Sequence, residues 1–174
     1  MEQLYNNLSL QFELNDFMLR HGTQASFIAK REQLVSLLTN LRDIHGYTHL
    51  VMVTCVDWLE DKLFQLTYIV HNHHDQSDII VKVLIDRDMP EMDSIHHLWE
   101  QGRVFQRELH EMFGISFPGS PGQDEPMILE GWQGPPPMRR DFDTKEYCEA
   151  NYSNRERDSR EPEEHMKRKL YPED

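Results

Sequence analysis

The chain has 174 residues, 38% hydrophobic and 28% charged, with a formal net charge of −13. That length suits one globular domain plus an appendage, and the acid excess disfavours nucleic-acid phosphates and anionic lipid head groups as partners. No apolar run approaches the roughly 18 to 20 residues of a membrane-spanning helix, and Met1–Asn7 shows no basic-then-apolar signal, so a soluble cytoplasmic chain is expected. Acidic residues outnumber basic ones over both 1–140 (20 against 11) and 141–174 (11 against 7), so the charge is spread along the chain rather than confined to a tail.

In chain order, an extended entry with strand character is predicted around Gln11–Leu14 and Ala25–Ala29. Leu34, Leu37, Leu38, Leu41 and Ile44 recur at helical spacing, which predicts a helix from about Lys30 to His45, ended by Gly46. Three strands follow. Thr48–Val56 is almost continuously apolar and reads as a strand covered on both faces. Leu63–His71 and Ile79–Ile85 alternate apolar with polar residues, and the short polar connectors predict antiparallel hairpins. No glycine-rich phosphate loop follows any strand.

Met89–Pro90 breaks the pattern. Ile95, Leu98 and Trp99 mark a helical turn or two, and a second helix segment runs from Arg103 to Phe113. Its stripe is Phe105, Leu109, Met112 and Phe113, with Arg107, Glu108 and Glu111 beside it, and Gly114 falls where a helix end favours a left-handed residue. Six of the nine prolines lie between Pro118 and Pro137. This stretch is expected to run over a surface in extended form. The last 34 residues are mainly charged, with scattered aromatics, and are expected to order only against a partner. The expected fold class is α+β: a mostly antiparallel sheet with packed helices and a long extended C-terminal tail. The expected divisions are an α+β domain at 1–117, a Pro/Gly-rich interface segment at 118–142 and a partner-wrapping tail at 143–174.

Candidate chemistry is sparse. Cys55 and Cys148 cannot supply the four ligands of an ordinary iron–sulfur cluster or a Cys-rich zinc site. His71, His73 and His74 share one connector and could build a metal-binding module, although neighbouring ligands on a hairpin tip rarely enclose an ion. Glu108 to Glu111 lacks the second His of a zinc-protease helix. Glu108, His110 and Glu111 could form an acid–base set of a stand-alone enzyme, but an Arg107–Glu111 pair one turn apart offers a structural use instead. Arg139–Arg140, placed after three prolines and between Trp132 and Phe142, reads as an interface anchor.

Arg107–Glu108, then Glu111–Met112–Phe113–Gly114–Ile115, then Phe117, resembles the hallmark helix of the 30 kDa subunit family of NADH:quinone oxidoreductase (NuoC-like). Ile128–Leu129, Gly131–Trp132 and Pro137–Met138–Arg139–Arg140–Asp141–Phe142 resemble that family's later segment, and the likeness covers about residues 25–142. Two residues rather than three separate Glu108 from Glu111, and Glu111 stands where the family has Asp. Pro118–Gly119–Ser120–Pro121 and Gly134–Pro135–Pro136–Pro137–Met138 also depart from its pattern. These departures and the charged extension point toward relatives in membrane-bound [NiFe] hydrogenases and sulfur-reducing complexes.

The resemblance implies a non-catalytic subunit with no catalytic, cofactor or metal residue of its own. Iron–sulfur clusters, and in one branch a [NiFe] site, would belong to partner subunits. The implied partners are the hydrogenase-large-like large subunit and the iron–sulfur small subunit, with membrane subunits touched indirectly. The implied place is the peripheral arm on the cytoplasmic side of the cell membrane. The residues expected to form the family core and interface are Arg107, Glu108, Glu111, Met112, Phe113, Gly114, Trp132, Arg139 and Arg140.

Overall fold

A five-stranded sheet organises the molecule in a computed structural model that describes residues 1–151. Helix α1 (Glu2–Ser9) leads into strands β1 (Leu14–Arg20) and β2 (Gln24–Ala29). A 3₁₀ turn at Arg31–Gln33 then enters helix α2 (Leu34–Asp43). Strands β3 (His49–Trp58), β4 (Leu63–Asn72) and β5 (Ser77–Asp86) follow, then helix α3 (Gly102–Phe113) and helix α4 (Thr144–Asn151). The strand order is β1-β2-β5-β4-β3. The β2–β5 pair is parallel and the other three pairs are antiparallel. The α+β class with a mostly antiparallel sheet is therefore what the chain forms. Residues Met1–Phe142 make one compact unit, and a second begins at Asp143.

The two hairpins follow from period-two patterning. In β5, Ile79, Val81, Val83 and Ile85 are buried, and in β4 so are Phe64, Leu66, Tyr68 and Val70. Their registers match, Phe64 opposite Ile85 and Leu66 opposite Val83, so both sets face one side. The α2 leucines 34, 37, 38 and 41 join the same cluster, as do Ile115 and Phe117 beyond α3. Helix α3 lies against β3.

Three expectations are corrected and one helix is added. The first strand runs over Leu14–Arg20 rather than around Gln11–Leu14. Helix α1 has no counterpart in the sequence reading. Met1, Leu4, Tyr5 and Leu8 do fall at helical spacing, and the structure uses that face: Leu8 is buried in the core, Met1, Leu4 and Tyr5 pack against it, and Tyr5 stacks on Phe17. The long helix before β3 begins as a 3₁₀ turn and ends at Asp43, shorter than Lys30–His45. Strand β3 is an edge strand with one open face: Val51, Met52, Val56 and Trp58 stay exposed, so its apolar run does not mean cover on both sides. Of the final 34 residues, 144–151 form α4; Tyr152, Tyr171 and the rest of the tail lie outside the described residues.

Candidate functional site

Helix α3 stops because Gly114 takes the left-handed conformation, φ 73° and ψ 30°, while its N–H donates to the His110 carbonyl at 2.8 Å. A helix end leaves its last carbonyls without partners. The returning chain supplies them here: Met138 N–H donates to Met112 O at 3.0 Å, and Arg139 Nε–H donates to Phe113 O at 2.7 Å. The missing side chain of Gly114 is what lets that chain in. A Cβ there would lie 2.9 Å from Pro136 Cγ and 3.1 Å from an Arg139 nitrogen. Met112, Phe113, Gly114 and Arg139 are thus one device, in which the strap of residues 118–142 caps the helix it follows.

Glu111 does a second part of the same work. Its carboxylate accepts the consecutive backbone N–H groups of Met127, Ile128 and Leu129 at 2.8–3.2 Å. A run of backbone amides around one carboxylate is a built anion nest. Burial would raise the Glu111 carboxyl, but the three amides outweigh it and hold it below its ordinary value. Arg107 does not pair directly with Glu111 as expected; its Nη1 lies 3.7 Å from Glu125, although its charge also favours the Glu111 carboxylate.

A third fastening lies at the far end of β3. Arg87 grips Asp57 through two bonds, at 2.7 and 3.1 Å, and reaches Asp141 at 2.6 Å. Asp57 also accepts the backbone N–H of Arg140 at 2.9 Å. The side chains of Arg87 and Asp57 are only 8% and 2% exposed, so each needs the other to be tolerated inside. Burial pushes the Asp57 carboxyl up, yet the bonds from Arg87 and Arg140 bring it below its usual value. Hydrogen bonds to Asp57 and Asp141 raise Arg87 further above its already high value. The guanidinium groups of Arg87 and Arg139 both sit over the Phe64 ring, 5.6 and 5.3 Å from its centre. Arg140 makes a bidentate pair with Glu60 at the surface, at 2.6 and 2.9 Å.

These placements sort the sequence-selected residues. Glu111, Met112, Phe113, Gly114, Arg139 and Arg140 come together around the end of α3 and the strap. Trp132 is half-buried, donates to Pro135 O at 3.0 Å and packs on Phe142 at 5.8 Å. Glu108 stands on the exposed flank of α3. The proposed acid–base set is not assembled: His110 Nδ1–H donates to Ile115 O at 2.9 Å, while Glu111 is occupied by the strap. The His connector also splits. His71 bonds Asp78 at 2.8 Å and His74 bonds Asp75 at 2.9 Å. Among the described residues no group of three or more His, Cys, Asp or Glu is arranged to hold a metal ion.

Sequence reading gave no role to Asp57, Glu60, Phe64 and Arg87, and met Asp141 only as part of the family segment. The available signal was a charged residue closing an apolar strand, Asp57 after Val56 and Arg87 shortly after Ile85. Their pairing spans 30 to 83 residues and leaves no local pattern.

The α+β scaffold thus locks the end of α3 to a returning, proline-rich strap. The family described as "Respiratory-chain NADH dehydrogenase, 30 Kd subunit" matches residues 27–148, and the chain belongs to that family. It is 31% identical to the C subunit of the NADH-quinone oxidoreductase of Moorella thermoacetica over 134 residues, 76% of this chain and 90% of that one. Its fold is similar to a chain in the structure of the membrane-bound sulfane sulfur reductase, an archaeal respiratory membrane complex. The TM-score is 0.79 at 21% identity, covering 92% of this chain and 97% of the other. A chain described as Nqo5, trypsin-resistant fragment 1–134, is similar with a TM-score of 0.58 at 19% identity, covering 69% of this chain and 96% of that one. This chain is accordingly a subunit of a complex I-like oxidoreductase built from several chains. Among the described residues, no helix is long and apolar enough to cross a membrane.

Proposed function

We propose that the chain is a non-catalytic subunit of the peripheral electron-transfer arm. There it joins the hydrogenase-large-like large subunit to the iron–sulfur small subunit, on the cytoplasmic side of the membrane. The observation that carries this reading is how the family residues are used. Glu111 and Arg139, together with Asp57 outside the family set, are committed to fixing the chain's own strap, which suits a platform rather than a reacting centre. Iron–sulfur clusters, and a [NiFe] site in a hydrogenase branch, belong to the neighbours. A rigid platform serves electron transfer by holding the cluster-bearing neighbours at fixed separation.

Native isolation in mild detergent tests this. Recovery with a large subunit, a cluster-bearing subunit and membrane subunits is the expected result. Nickel in the large subunit would place the complex in the hydrogenase branch, and a large subunit lacking nickel ligands would place it among quinone- or sulfur-linked relatives. Recovery of a lone chain that turns over a substrate would overturn the proposal.

A further inference from the structure

A groove of about 350 Å³ opens between edge strand β3, helix α3 and the strap. Its distinctive lining is Met52 from β3, Phe105 and Met112 from α3, and Met138 from the strap, with Glu108 at its rim. Met52 and Met138 are 40% and 58% exposed, so flexible thioethers rather than packed core atoms form its mouth. Methionine-rich surfaces adapt to apolar side chains of varied shape. Burial pushes the Cys55 thiol at the groove's floor up to about 12, so that thiol offers no thiolate at neutral pH.

Glu108 is exposed and has no ion-pair partner among the described residues, unlike Arg103, Arg107 and Glu111 on the same helix, each of which is bonded or paired. It leaves one uncompensated negative charge beside an apolar cleft on a chain of net charge −13. Such an arrangement is complementary to an apolar anchor carrying a cation close by.

We propose that this groove receives an apolar segment of a neighbouring subunit, inserted over Met52, Met112 and Met138, with a Lys or Arg of that segment meeting Glu108. The inference rests on the reading of the chain as one subunit among several and names the chemistry of one of its contacts. It also explains why the family helix and the strap must be locked together. The bond from the Met138 N–H to the Met112 carbonyl, at 3.0 Å, joins two of the residues that line the groove.

The test uses the assembled complex, with a photo-reactive amino acid placed at Met138 and, separately, at Met52. The expected result is that both probes cross-link to one stretch of another subunit, apolar and containing Lys or Arg. Glu108→Lys should leave the melting temperature of the isolated chain unchanged and lower its retention in the complex by about tenfold, the scale of a single interface anchor. Cross-links confined to this chain, to a second copy of it, or to a stretch without a basic residue would overturn the inference. So would normal retention of Glu108→Lys. If the complex is recovered intact while the groove gives these negative results, the groove inference falls and the subunit reading stands. If no complex is recovered, both fall.

Discussion

Strands β4 and β5 bury Leu66, Val70, Val81 and Val83 completely, whereas the strap from Pro118 to Phe142 leaves Met127, Ile128 and Met138 in solvent. The sheet coheres through area removed from water, which is non-directional and shared among many side chains. The strap is fastened by polar contacts, among them Ser120 to Gln106 of α3, Glu111 to the 127–129 amides, the α3 end to Met138 and Arg139, and Arg87–Asp57 to Arg140 and Asp141. Losing one contact should therefore be spread and absorbed in the sheet. In the strap it should release a whole segment at a defined point.

The sharpest test of this contrast is Asp57→Ala, which leaves the Arg87 guanidinium buried without its main partner. The expected loss is about 3–5 kcal/mol, seen as a lower urea midpoint, because an uncompensated buried charge is the costly case. Leu37→Ala, in the fully buried α2 stripe, should cost a similar or slightly smaller amount, about 2–5 kcal/mol. The two should differ in pattern, with Asp57→Ala exposing residues near 140 to protease and Leu37→Ala not. Gly114→Ala should cost about 1–3 kcal/mol, from the left-handed backbone and the clash with Pro136 and Arg139 together. A Gly114→Ala variant that melts like the natural chain would break the account of the helix cap.

Acid should separate the regions more gently. Asp57, Asp141 and Glu111 all have folded-state values held below their ordinary ones. Groups shifted downward stabilise fully above the unfolded value and lose that contribution as pH falls through the folded value. The strap should thus loosen below about pH 4, before the sheet's hairpins do. Proteolysis with an acid-stable protease between about pH 5 and 2, the span over which such carboxylates titrate, checks this. Strap and strands yielding together would contradict it.

Some of this was legible in the chain and some was not, for a physical reason. Phe105, Leu109, Met112 and Phe113 declare α3 by their spacing, and Gly114 declares its end, because both signals are local. The hairpins declare themselves by alternation. Strand β3 misled because Val51, Met52 and Val56 are apolar yet exposed: a sequence records that a residue is apolar, not which neighbour covers it. Arg139 and Arg140 read as anchors reaching outward, and their side chains turn to Phe113 and Glu60 of the same chain. Nothing local distinguishes an arginine that grips a partner from one that grips its own helix end. The Asp57–Arg87–Asp141 linkage joins three distant segments, so it exists only once the sheet has set their positions.

The most direct measurement is residue-resolved hydrogen exchange on the full chain and on Glu111→Gln, which keeps the shape and removes the charge. Faster exchange is expected at the amides of Met127, Ile128 and Leu129, with the β4 and β5 amides unchanged. Unaltered protection at 127–129, or equal loosening of strap and sheet, would contradict the claim that a few polar fastenings hold the strap while apolar burial holds the sheet.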